Sequence, residues 1–151
     1  MKIVVVSDSH GNAIGINQIF QQVEFDYLIY LGDGIDDLGT FINLDNVIAV
    51  SGNCDYFSSL DNEMDFTLGG IKFFITHGNK YGVKYSLNSL ATRARELGVK
   101  YCLYGHTHRQ IVEYQNDICF INPGTFQKRR EEGLILNING DDIQILSLKL
   151  N

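Results

Sequence analysis

The 151-residue chain predicts a mixed α/β fold, two β-sheets packed face to face as a sandwich with helices on the outside. Three observations predict it. The first third alternates short apolar runs rich in β-branched residues with an amphipathic stripe, the rhythm of parallel strands joined by crossover helices. From Met64 onward, strand-like runs come in pairs separated by two or three turn residues, the pattern of antiparallel hairpins. Hydrophobic residues make up 44% and charged residues 20% of a chain long enough to bury a substantial core. One domain covering residues 1–151 is therefore expected, and two mixed sheets accommodate both textures better than one open sheet.

The elements follow in order. Lys2 to Ser7 (KIVVVS) is nearly unbroken apolar sequence and predicts a buried strand. Ile16, Ile19, Phe20 and Val23 recur at helical spacing after Asn12, a suitable N-cap. Asp26 to Leu31 and Asn46 to Val50 predict two further buried strands. Met64 to Leu68 and Ile71 to Thr76 flank Gly69-Gly70, a two-residue hairpin turn. Leu87, Leu90, Ala91, Ala94 and Leu97 form a second helical stripe, stopped by Gly98. Tyr101 to Tyr104 is a strand. Ile111 to Tyr114 is expected to pair with Ile118 to Ile121 across Gln115-Asn116-Asp117, and Leu134 to Ile138 with Ile143 to Leu150 across Asn139-Gly140-Asp141. The C-terminal part is thus expected to be antiparallel throughout. There is no internal repeat, low-complexity segment or linker, and Pro123 is the sole proline.

Net charge is -6, and no basic run is longer than Lys128-Arg129-Arg130, which weighs against a nucleic-acid-binding face. A small phosphorylated substrate is still compatible, because bound cations reverse the local field. Cys54, Cys102 and Cys119 show no paired spacing, as in a reducing compartment. Met1 leads directly into an apolar strand without a cleavage site, and no run is long enough to span a bilayer. A cytoplasmic location away from membranes is expected.

The chemistry-bearing residues close the apolar runs, where open α/β sheets keep their ligand sites. All four histidines lie in three such motifs: Asp8-Ser9-His10, Thr76-His77-Gly78 and Gly105-His106-Thr107-His108. Asp8 and His10, at i and i+2 in extended backbone, would point the same way. Gly32-Asp33-Gly34 places a carboxylate between glycines that allow close backbone approach. Ser51-Gly52-Asn53-Cys54-Asp55 offers the Asn53 carbonyl oxygen as a hard ligand, with Cys54 read as a packed thiol. Each motif alone has an ordinary explanation. Asp8, Asp33 and Asp36 suit turns, Gly52-Asn53 is a common turn, and a single histidine is more often a hydrogen-bonded structural residue. Together they supply four imidazoles, two carboxylates and one amide. That is too many for one structural zinc site and suits two cations sharing a carboxylate.

The order DSH, GDG, GNCD, THG, GHTH, with Asn122-Pro123-Gly124-Thr125, resembles the calcineurin-like metallophosphoesterase superfamily, in its small single-domain bacterial and archaeal phosphodiesterase branch. The resemblance covers Asp8 to Thr125 and implies a two-sheet sandwich flanked by helices. It implies a dinuclear phosphoesterase that acts on phosphodiesters, and on some monoesters, through a metal-bound hydroxide positioned around Asp33 and Asn53. One metal would be held by Asp8, His10, Asp33 and His108, the other by Asp33, Asn53, His77 and His106. The two divalent ions would be manganese first, with iron, nickel or zinc as the alternatives. Many members carry histidine where this chain has Cys54, which leaves the general acid unassigned. Arg109, Lys80 and Arg129 are candidates for substrate phosphate. The implied partner is a small phosphodiester, and copies of the chain could assemble. The same superfamily contains a retromer subunit that binds proteins through a degraded metal site, so a non-enzymatic scaffold is the rival reading. A metal-dependent nuclease is the third.

Overall fold

The computed structural model describes residues 1–151. Its strands are β1 (Lys2–Val6), β2 (Tyr27–Tyr30), β3 (Val47–Ala49), β4 (Glu63–Leu68) and β5 (Ile71–Thr76), followed by β6 (Tyr101–Tyr104), β7 (Gln110–Gln115), β8 (Ile118–Pro123), β9 (Leu134–Asn139) and β10 (Asp142–Ser147). Its α-helices are α1 (Ala13–Gln22) and α2 (Asn88–Leu97). The strands form two five-stranded sheets, ordered β10-β9-β1-β2-β3 and β4-β5-β6-β8-β7.

Strand periodicity sorts the side chains into three apolar layers. Ile3 and Val5 of β1 face the second sheet and pack with Ile29, Phe73, Ile75, Leu103 and Ile121. Val4 and Val6 face outward onto Ile16 and Ile19 of α1. On the far side, Phe74, Cys102 and Phe120 receive Leu90, Ala91 and Ala94 of α2. Both helices end as the sequence predicts. Asn12 Oδ1 accepts from the Gly15 N–H at 3.1 Å, and Gly98 takes a left-handed φ of 68° at the end of α2. No helix is long and apolar enough to cross a membrane.

The C-terminal part is not antiparallel throughout. β8 pairs in parallel with β6, while β7 runs antiparallel to β8 at the sheet edge. The reason lies in their faces. All six residues of β8 are buried, which requires cover on both sides, whereas β7 alternates between exposed and half-buried positions and tolerates an edge. The two late turns are also tighter than expected. Gln115 pairs with Ile118 across Asn116-Asp117, and Asn139 with Asp142 across Gly140-Asp141. Two 3₁₀ segments, Ile35–Asn43 and Asn79–Tyr81, have no counterpart in the sequence reading. The first breaks at Gly39, so no continuous stripe marks it.

Candidate metal centre

The parallel strands β1, β2, β3, β5 and β6 deliver their following loops to one rim, and backbone hydrogen bonds lace those loops together. The Asp8 N–H donates to Gly32 O at 2.9 Å, the His10 N–H to Asp33 O at 3.2 Å, and the Gly105 N–H to His77 O at 3.0 Å. Asp8, His10, Asp33, His106 and His108 all have left-handed backbone, with φ between 41° and 71°. This geometry costs a non-glycine residue about 1–2 kcal/mol and persists only where surrounding contacts impose it. It also corrects the sequence reading of Asp8 and His10. Their heads converge because the chain turns left-handed at both, not because an extended strand continues.

The convergence is close. Ligand atoms of Asp8, His10 and His108 form one group and those of Asp33, His77 and His106 a second, all within 4.8 Å of one another in each group. His108 Nε2 is 3.2 Å from Asp8 Oδ1, and His10 Nε2 is 3.3 Å from His108 Nε2. In the second group, Asp33 Oδ2 is 3.3 Å from His77 Nε2, which is 3.2 Å from His106 Nδ1. Asp33 Oδ2 also lies 3.7 Å from His10 Nε2, so this carboxylate stands between the groups. Gly52 backs it, where any Cβ would collide with Asp33 Oδ1.

The donor chemistry fits divalent cations. Asp8 is fully buried, and its Oδ1 has no hydrogen-bond partner. Its Oδ2 accepts from the Ser7 hydroxyl and the His106 N–H. A buried orphan carboxylate oxygen is costly unless a positive charge meets it. His77 Nδ1 lies 2.7 Å from the Leu31 carbonyl, which makes it a donor and leaves Nε2 facing Asp33, as a lone pair for a cation or, when protonated, as a second donor to the carboxylate. Burial disfavours charge on His77, but the hydrogen bond to Asp33 and the Asp8 charge outweigh it and raise its pKa. Burial likewise opposes ionisation of Asp33, yet the His77 and Cys54 N–H contacts and the nearby imidazoles bring it down to about 2. The His106 pKa is lowered by burial first, then by the His77 and Lys84 charges.

Several residues that hold this arrangement had no role assigned from the sequence, although Asp55, Asn122 and Thr125 lie in its motifs. Asp55 accepts four backbone hydrogen bonds. Its Oδ2 takes the N–H groups of Asp33 (2.8 Å) and Gly52 (2.7 Å), and its Oδ1 those of Gly34 (2.9 Å) and Ile35 (3.0 Å). It thereby ties the Asp33 loop to the Asn53 loop. The signal was a carboxylate three residues beyond a glycine turn, where Asx-type bonding to the local backbone is common. Tyr30, buried in β2, places its hydroxyl against Ser9 and Asp33 O, and burial raises its pKa strongly. Asp37 accepts from the Ser9 hydroxyl and the Gly11 N–H, whereas Asp36 is exposed. Asn122 donates to Gly105 O and Thr107 Oγ1, both at 3.0 Å, and Thr125 donates to Asp8 O at 2.9 Å.

Other expectations need adjustment. Cys54 is exposed, not a packed thiol. Its N–H donates to Asp33 Oδ1 at 2.8 Å, and its sulfur is grouped with His10 and Asp33 at the solvent-exposed edge of the centre. Asn53 is exposed beside it, with its amide nitrogen 3.6 Å from Cys54 Sγ. Lys80, Arg109 and Arg129 are exposed, and the arginine that reaches the centre's backbone is Arg130, donating to His108 O at 3.1 Å.

The calcineurin-like phosphoesterase superfamily domain matches residues 1–139, a span that includes all seven of the expected ligands. The chain belongs to that superfamily. Within it, the chain is 32% identical over 148 residues to a probable metallophosphoesterase of Bacillus subtilis, YsnB, covering 93% of this chain and 86% of that protein. It is 30% identical over 144 residues to the phosphodiesterase MJ0936 of Methanocaldococcus jannaschii, covering 82% and 83%. The crystal structure of a predicted phosphoesterase from Streptococcus pneumoniae superposes with a TM-score of 0.82 at 23% identity, covering 97% and 88%. Vps29 of Entamoeba histolytica, solved with Zn²⁺, shares the superfamily fold at a TM-score of 0.76, 18% identity and full coverage of both chains.

Proposed function

We propose that this single-domain superfamily member is a dinuclear metal-dependent phosphodiesterase. The observation that carries the reading is the orphaned Asp8 Oδ1 at the centre of a histidine cluster, with the Asp33 carboxylate standing between that cluster and a second. Asp8, His10, Asp33 and His108 would hold one cation, and Asp33, Asn53, His77 and His106 the other. The ions, with manganese the first choice ahead of iron, nickel and zinc, would acidify an attacking water and neutralise charge on the phosphate. The chain's own part is to hold the donors rigid. Leu31 O fixes the His77 tautomer, Asp55 fixes the backbone under Asp33, and Asn122 fixes the turn that carries His106 and His108. The named phosphodiesterase and metallophosphoesterase relatives support a phosphodiester as substrate. The six aspartate and histidine donors that gather there, with Asn53 available in the sequence as the seventh, favour an enzyme over a protein-binding scaffold.

The test uses metal-stripped protein assayed on bis(4-nitrophenyl) phosphate and 4-nitrophenyl phosphate, with Mn²⁺, Fe²⁺, Ni²⁺ or Zn²⁺ restored. Diester turnover that depends on metal, exceeds monoester turnover and falls by several orders of magnitude in Asp33→Asn is expected. No turnover with any of the four ions, together with no bound metal, would favour the scaffold.

A further inference from the structure

A groove of about 580 Å³ opens beside the candidate metal centre, between the segment that precedes α2 and the face of β7. It begins at Thr107, the residue between His106 and His108. Its walls include Lys84, Tyr85, Tyr104, Arg109 and Glu113. The charges are graded along it. Arg109 lies just before β7, next to the His106–His108 turn, and its N–H is anchored on Thr107 Oγ1 at 3.3 Å. Lys84 lines the same groove as Thr107, the residue that follows His106. Glu113 lies four residues further along β7, roughly 13 Å away at the usual strand rise.

Neither cation is spent inside the protein. The Lys and Arg ion pairs of the structure involve Lys72, Arg93 and Arg130, not Lys84 or Arg109. In a chain of net charge -6, two unpaired cations at the inner end of a groove favour an anionic occupant at that end. A guanidinium and an ammonium lining one groove suit phosphate oxygens, the first as a planar fork and the second as a point charge. Tyr85, 94% exposed on the rim, offers a flat apolar face.

We infer that this groove receives one ester arm of the substrate, and that this arm is a nucleoside carrying a second phosphate, held by Lys84 and Arg109 with its ring against Tyr85. The inference rests on the phosphodiesterase reading and narrows its substrate class. Glu113 opposes an anion and sets a limit at the far end, so the second phosphate sits at the Lys84–Arg109 end.

The experiment compares two esters that share a leaving group, thymidine 5′-(4-nitrophenyl phosphate) and the same ester bearing a 3′-phosphate. In both, water adds its oxygen to phosphorus and gives a proton to solvent, the bond from phosphorus to the nitrophenyl oxygen breaks with its electron pair leaving on nitrophenolate, and the nucleoside stays on phosphorus. At low salt with Mn²⁺, the 3′-phosphate should raise kcat/KM about tenfold, the sum expected of two exposed ion pairs at the upper end of their usual range. In Lys84→Gln the preference should fall below about threefold, and 0.5 M NaCl should reduce it in the wild type by screening. Glu113→Gln should increase it. Hydrolysis of both esters at equal kcat/KM, or a full preference retained by folded Lys84→Gln, overturns the groove assignment and leaves the phosphodiesterase reading standing. No hydrolysis of either ester, nor of bis(4-nitrophenyl) phosphate, with any of the four metals overturns both.

Discussion

Asp55→Asn should weaken the fold and the candidate metal centre together, although Asp55 is not one of the expected ligands. The carboxylate accepts four backbone N–H groups, two on each oxygen, and Asp55 is half-buried. An amide keeps one acceptor oxygen and turns an NH₂ group toward the other pair of N–H donors. Two hydrogen bonds to a charged group are lost, each worth about 1.5–3 kcal/mol net. Water reaches the site in part, so the lower end applies, roughly 3 kcal/mol. For a chain of this length each kcal/mol shifts Tm by about 2–4 °C, which predicts a fall of roughly 6–12 °C. The released N–H groups belong to Asp33, Gly34, Ile35 and Gly52, so Asp33 should lose its fixed position. Loss of a group that holds a metal ligand from outside typically costs about 10–100-fold in metal affinity or activity. Calorimetric unfolding of metal-free protein and Mn²⁺ titration of the folded protein are the two measurements. Asp36→Asn, which alters an exposed carboxylate on the neighbouring segment, is the control and should change Tm by less than 2 °C. If Asp55→Asn behaves like that control in both measurements, the clamp does not exist as described.

Three other outcomes are expected. His108→Ala should remove the ion shared with Asp8 and His10, and His106→Ala the ion shared with His77; anomalous scattering at the metal edge would show it, and loss of the same ion in both variants would contradict the assignment. Metal-free protein should be most stable between about pH 4 and pH 6.5. The depressed Asp33 group contributes stability that is present above its unfolded value near 3.9 and disappears as pH falls toward 2, whereas the raised His77 group contributes stability that is present below about 6.5 and disappears as pH rises through its folded value. Thermal unfolding across pH 2–9 in chelator, flat on both sides of that window, would count against the His77–Asp33 pairing. Finally, a thiol reagent should titrate one cysteine in the folded protein, Cys54, and reach Cys102 and Cys119 only on unfolding; a second fast-reacting thiol would mean that the sheet interior opens readily.

Locally determined features were legible before the structure. Apolar runs and helical stripes marked strands such as Lys2–Val6 and both α-helices, and Asn12, Gly69-Gly70 and Gly98 marked their ends, because capping and turn preferences act over a few residues. The histidine and aspartate motifs were visible for the same reason: each sits at the end of a strand. What the sequence left open depends on groups far apart in the chain. The place of β8 beside β6 follows from the need to bury both of its faces, which only the completed sheet provides. The left-handed backbone at Asp8, His10, Asp33, His106 and His108 has no composition signal, since these are not glycines and the surrounding hydrogen bonds impose it. Asp55 meets the Asp33 loop across more than twenty residues, and Lys84 lines a groove with Arg109 from another element. Cys54 looked buried because thiols usually are, yet it stands exposed at the rim of the centre, beside His10 and Asp33. Local chemistry thus nominated the ligands, and contacts between distant segments decided how they are held and what lies beside them.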